Sequence, residues 1–260
     1  MSQHPEPSSP VVLLTTSGDL CTIVVNGLAQ RIGALTVIEE VPERRAELIK
    51  RRVRLCGRVA VAGQLMCGLL QRFGRQRRQA RLEAIWREHG LDPKPNAVIT
   101  VHRVPSVNSA ECRALLGSMK PAVVAVYSTR IIGKATREAT RAPFINYHAG
   151  INPKYRGQHP GYWALANGDE ENYGVTIHIV DRGVDTGPVL YQERLKRDAR
   201  DTIGTYQHAQ AAVALPLFAR AIEDARAGRL QPHKVDLPSQ LWFPPTIWSY
   251  LATGLRRGVW

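Results

Sequence analysis

The chain has 260 residues, 44 % of them hydrophobic and 22 % charged, which excludes a mainly disordered chain and leaves room for a sizeable core. Lys and Arg number 35 against 22 Asp and Glu, a net charge of +13 that favours an anionic partner (nucleotide, nucleic acid or acidic membrane surface) without choosing among them. Cys21, Cys56, Cys67 and Cys112 form no CxxC pair and no metal-ligand spacing, so no metal and a reduced, cytoplasmic setting are expected. Pro5, Pro7 and Pro10, without a basic start, argue against a signal peptide, and no apolar window is long enough for a spanning helix.

After a Pro/Ser leader over residues 1–9, Val11 to Leu14 reads as a buried strand, followed by a turn at Thr15 to Gly18 and a helix over 20–31. A second strand is expected over 34–38. Residues 43–88 then read as helical throughout and hold 13 basic against 4 acidic residues, so this stretch supplies most of the excess charge. Its middle, residues 59–71, is uncharged, which suits a buried or interfacial helix better than a span. Strands are expected again over 97–101, 122–126 and 144–146, with helices between, then strands over 174–180 and 189–193 and a helix over 203–227. Apolar, β-branched runs without alternation are what parallel strands covered on both faces require, and the repeated β-α-β order predicts a Rossmann-like, doubly wound α/β fold with a mostly parallel sheet. The basic helical insertion (43–92) interrupts a domain over 1–230. The aromatic and basic tail (231–260) follows no assignable pattern.

Chemistry concentrates between residues 146 and 187. Asn146 and His148 lie two apart at a strand end and so point to one face, at the carboxyl edge where open α/β sheets place their ligands. Asp185 sits in a glycine-flanked turn that could return it to His148, or it is simply a turn former. An amide, an imidazole and a carboxylate around one cleft suit acyl transfer to an amine: Asn146 and a protonated His148 would hold the oxyanion, and Asp185 would orient the ring and help move the proton. No Ser or Cys nucleophile is needed, because the substrate amine attacks.

The same block resembles the catalytic domain of the 10-formyltetrahydrofolate-dependent formyltransferases, which act on glycinamide ribonucleotide, methionyl-tRNA or sugar amines. The family's Asn-x-His corresponds to Asn146 and His148, its Leu-Pro-x-Tyr/Trp-Arg-Gly loop to residues 152–157 with Asn152 in place of Leu, its Gly-Val-Thr-x-His strand to Gly174 to His178, and its Asp-x-Gly-Pro turn to Asp185, Gly187 and Pro188. Leu215–Pro216 is similar to the proline inside the family's last helix. The resemblance covers roughly residues 97–228 and the first strand. It implies catalytic roles for Asn146, His148 and Asp185. Tyr127, Ser128, Thr129, Arg130, Ile131, Ile132 and Val184 would line the folate pocket. Ser17, Gly18, Arg156, Thr176 and His178 would serve the acceptor, although Thr176 and His178 fit core packing equally well and Arg156 fits a loop brace.

Two departures bear on the acceptor. The first turn, Thr16–Ser17–Gly18–Asp19, puts an aspartate where the ribonucleotide branch holds a phosphate. The residues after 228 are too few for the barrel domain of the tRNA branch. The expected acceptor is therefore a small amine, such as an amino-sugar nucleotide or a glycinamide-ribonucleotide-like molecule, and nucleic acid is not expected. Hydrolysis of the formyl donor, or a disabled fold serving as a membrane- or polyanion-binding scaffold, are the alternatives. The 43–88 stretch could be a solvated hairpin, a face on an anionic bilayer at the inner side of the membrane, or a polyanion site; the tail could join such an interface or strap across the core.

Overall fold

The computed structural model describes residues 9–260, so all but the last residue of the Pro/Ser leader lies outside it. The chain order opens with β1 (Val11–Thr16), α1 (Asp19–Ile32) and β2 (Leu35–Glu40). Three helices follow, α2 (Arg45–Cys56), α3 (Arg58–Leu70) and α4 (Arg75–His89). Then come β3 (Thr100–Val104), α5 (Ala110–Met119), β4 (Val123–Val126), α6 (Lys134–Arg137) and β5 (Phe144–His148). The short β6 (Arg156–Gly157) and α7 (Pro160–Ala166) precede β7 (Gly174–Ile179), β8 (Val189–Arg194) and α8 (Tyr206–Arg226), and the chain closes with β9 (Leu241–Trp242) and α9 (Ile247–Arg257).

The main sheet has the order β3-β2-β1-β4-β5-β7-β8. β1 to β5 run parallel, while β7 and β8 are antiparallel additions at one side. The central strands are buried on both faces, as their unbroken apolar runs require. One face carries α1, α4 and α8; there Ala211, Ala214, Leu215, Phe218, Ile222 and Ala225 recur at helical spacing, and a fully buried Leu or Phe contributes about 2–3 kcal/mol. The other face is covered by α5 around Cys112 and Leu116. Pro216 lies inside α8 on its exposed side.

Three expectations change. The strand expected over 97–101 begins instead at Thr100, because β3 is an edge strand paired only with β2, and Asn96 turns the preceding residues outward, leaving Val98 89 % exposed. The helical stretch over 43–88 breaks into three helices, the first break at Gly57, whose φ of 82° admits the turn between α2 and α3. The tail is not patternless. β9 pairs with β6, Trp242 stacks on Tyr155 and Trp163, Tyr250 and Val259 are buried, and the Ile203 amide donates to the Trp260 carbonyl. The tail straps across the core.

Candidate active site

The carboxyl ends of β1, β4 and β5 open into a cleft of about 830 Å³. Asn146 and His148 reach it from β5, His178 from β7, which pairs antiparallel beside β5, and Asp185 from the loop before β8. That loop lies flat on β7 because Gly187 has no side chain; a β-carbon there would collide with the Ile179 carbonyl. Asp185 itself has φ 52°, a left-handed conformation that Asp tolerates better than most residues.

Asp185 is the hub. Its Oδ2 lies 3.5 Å from His148 Nδ1 and accepts the Gly157 amide N–H at 3.0 Å. Its Oδ1 lies 3.5 Å from both His178 Nε2 and Asn146 Nδ2. Burial alone would push this carboxyl up, but the two rings and the Gly157 N–H outweigh it and hold Asp185 well below the usual carboxylate range. Asp185 is therefore an anion near neutral pH. The Ile179 carbonyl can only accept, so His178 carries a hydrogen on Nδ1, and its Nε2 lies 3.0 Å from the Asn146 amide nitrogen beside Asp185 Oδ1. By the same argument His148 donates its Nε2–H to the Tyr155 carbonyl at 2.8 Å. Both His148 nitrogens thus face protein groups, as does the Asn146 amide nitrogen, and both side chains line the cleft.

The segment expected to line the folate pocket does line the cleft, from Tyr127 to Ile132, opposite Val184. Tyr127 stacks on the buried Tyr147 at 4.9 Å. Arg130 points its side chain away: its amide and guanidinium bond the two oxygens of buried Glu40 at 2.6 and 2.8 Å, which pins the loop. Glu40 was not legible as a site-shaping residue, since a lone acid at a strand end carries no pattern.

Four acceptor-side expectations are corrected. Thr16 borders the cleft, but Ser17 and Gly18 do not; the chain turns outward there to start α1, with Asp19 placing a negative charge in its first turn. Thr176 is fully buried, donating to the Gly150 carbonyl and accepting from Asn152 and Gln192, so it is a core tie. Arg156 donates to the Val184 carbonyl and braces the Asp185 loop rather than facing the cleft.

Sequence reasoning missed three contributors. Gly157, with φ 90°, supplies a main-chain N–H to Asp185 while its neighbours pair with the tail. Leu241, Trp242 and Phe243 of the tail form part of the wall. So does α2, through Arg51, Arg52 and Leu55. Arg51 pairs with Glu43, whereas Arg52 bonds, among the described residues, only the Gln158 amide oxygen, at 3.1 Å. Burial and the neighbouring Arg51 push its guanidinium down. Burial, and then the Arg52 charge, also push the cleft-lining His159 down to about 4, so that ring is neutral near neutral pH. No cluster suited to a metal ion occurs among the described residues.

Comparison with known proteins gives these groups a context. The formyl transferase family profile matches residues 92–222. A methionyl-tRNA formyltransferase of Pelotomaculum thermopropionicum is 36 % identical over 126 residues, covering 48 % of this chain and 40 % of its own length. One from Thermodesulfovibrio yellowstonii is 38 % identical over 119 residues, 45 % of this chain and 38 % of its own. The chain therefore spans about two fifths of the length of these curated relatives. Among solved structures, glycinamide ribonucleotide transformylase 1 from Symbiobacterium toebii superposes with a TM-score of 0.56 at 16 % identity, over 90 % of this chain and 100 % of that one. A sugar N-formyltransferase from a Shewanella species gives 0.55 at 15 %, over 90 % and 76 %. At such identities the likeness is one of fold.

Proposed function

This chain belongs to the formyl transferase family, and from that premise we propose that it moves a formyl group from 10-formyltetrahydrofolate to the amine of a small, anionic acceptor. The carrying observation is the Asp185 carboxylate, held anionic between His148 and His178 at the strand-end cleft. Attack of a neutral amine on the formyl carbon forms a new C–N bond and leaves positive charge on the nitrogen and negative charge on the oxygen. Asp185 stabilises the first and is the nearest acceptor for the amine proton. The Asn146 amide donates to the second by exchanging its weak 3.5 Å contact with Asp185 for the substrate oxygen, and the Tyr155 carbonyl and Asp185 hold the His148 ring at the cleft. Collapse breaks the bond from the formyl carbon to the folate nitrogen, which takes up the proton.

The 127–132 wall and Val184 suit the flat pteridine of the donor, and the cleft volume falls in the range of small-molecule sites. A sugar 3N-formyl transferase of similar fold, at TM-score 0.54 and 13 % identity, was crystallised in the presence of dTDP and 5-N-formyl-THF. Arg52, a half-buried cation on the cleft wall that forms no ion pair among the described residues, favours an acceptor carrying phosphate or carboxylate. The tRNA acceptor set aside from sequence returns as a candidate through the curated relatives. Against it stands the tail, which packs on this core.

The test offers 10-formyltetrahydrofolate with amino-sugar nucleotides, glycinamide ribonucleotide and methionyl-tRNA, reading tetrahydrofolate release and formylated product by mass. Turnover with an anionic small amine, and a KM for it raised about tenfold or more by Arg52→Ala, is the expected result. Tetrahydrofolate release with no acceptor would make the protein a hydrolase instead. No turnover and no folate binding would leave a scaffold.

A further inference from the structure

α3 carries no charged residue between Arg58 and Arg72, and two of its faces are apolar. One face, with Val61, Gly63 and Cys67, is buried against the rest of the protein. The other, formed by Val59, Met66 and Leu69 and continued by Phe73, recurs at spacings of seven, three and four residues and so makes one stripe. Among the described residues nothing covers it: these side chains are 51 to 80 % exposed.

α9 repeats the arrangement. Tyr250 and Gly254 face inward, while Trp248, Leu251 and Leu255 face outward. The Trp248 indole lies over Gly63 of α3, where a β-carbon would run into the ring, so the two exposed stripes meet at that tryptophan. A lone exposed leucine needs no explanation, but a row of this length on two packed helices is an association surface.

The charges around it narrow the partner. Arg54 and Arg58 stand at one end of α3, Arg72 and Arg75 at the other, and Arg256 and Arg257 at the end of α9, all exposed. Among the described residues none of the six pairs with an acid. A protein partner would need carboxylates at fixed, matching positions. A fluid sheet of phosphates satisfies guanidiniums spread over three helix ends without any pattern, while Met, Leu, Phe and Trp enter the acyl boundary. No helix among the described residues is long and apolar enough to cross a membrane, so such contact lies in the plane of the interface.

We propose that α3 and α9 together form a docking face for an anionic phospholipid bilayer. The inference stands independently of the formyl-transfer reading.

The test is flotation of the full chain with vesicles of phosphatidylcholine alone or mixed with phosphatidylglycerol. The protein floats with the mixed vesicles, not with phosphatidylcholine alone, and less as salt rises. Arg72→Gln with Arg75→Gln lowers the partition by about 25-fold, about fivefold for each arginine. Leu69→Asp with Phe73→Asp abolishes flotation while far-UV circular dichroism is unchanged; should that pair disturb folding, Leu255→Asp on α9 gives the same readout. Absence of flotation with mixed vesicles at low salt overturns the proposal, and so does flotation unaffected by folded stripe variants. A dimer that ignores vesicles and dissociates on Leu69→Asp would make the face an interface between copies and also overturn it.

Discussion

The Asp185 cleft and the ridge of α3 and α9 treat charge in opposite ways. At the cleft each acid meets a counter-group at fixed distance: Asp185 between two imidazoles and an amide N–H, Glu40 clamped by Arg130. On the ridge, arginines stand exposed beside uncovered apolar side chains. Compensated, buried charge has one geometry and so can serve a reaction that needs atoms held in place. Uncompensated, solvated charge has none and can serve only association, where a loose fit costs little. The difference predicts that substitutions in the two regions move different observables.

Asp185→Asn keeps the shape of the hub and removes its charge. Turnover should fall at least about 10²-fold, read as tetrahydrofolate release, with folate binding largely kept. His148→Ala should behave alike. Loss of folate binding in both would mean that they shape the pocket rather than serve the reaction, and the contrast with the ridge would lose one side.

Next in size is a pH effect where the insertion meets the core. His208 of α8 accepts the Trp86 Nε1–H of α4 at 3.0 Å, and burial pushes the ring down to about 4 despite the counter-pull of Asp19. Its folded value lies below the ordinary 6.5, so the unfolded chain takes the proton first. The His208 contribution is complete above about pH 6.5 and is lost as pH falls toward about 4, by up to about 3 kcal/mol. Urea titrations across that window should show the slope, and His208→Gln should flatten it. An unchanged slope would place the titration elsewhere.

Trp242→Ala probes whether the tail belongs with the cleft or with the ridge. The indole stacks on Trp163 at 4.6 Å and on Tyr155 at 6.0 Å. Its loss should cost about 2–3 kcal/mol. Because β9 holds the strand that presents the Gly157 N–H to Asp185, kcat should also fall, about tenfold. A stability loss with kcat intact would make the tail a strap only. The smallest effect is the sharpest control: Leu69→Asp, already facing water, should change stability by no more than about 0.5 kcal/mol in thermal melts.

The legible parts of this molecule were those whose signal is local. β1, β4 and β5 announce themselves as apolar runs because both their faces are covered. Asn146 and His148 share a face because strands alternate, and the family resemblance drew Asp185, the 127–132 wall and Pro216 from spaced motifs. β3 was misplaced because an edge strand need not be apolar, and Val98 shows that an apolar run can also be a turn. Ser17, Gly18 and Thr176 were assigned by motif to the acceptor, but a motif states which residue type recurs and not which way the side chain turns.

The alternation of strands and helices along the chain, the helical nature of 43–88 and the shared face of Asn146 and His148 followed from sequence alone, since periodicity and turn chemistry act over a few residues. Tertiary structure decided which groups meet. Asp185 finds the Gly157 amide across 28 residues and Arg52 finds Gln158 across 106, through packing that leaves no mark in either segment. It also decided which charges of a strongly basic chain are paired and buried and which stand exposed to solvent.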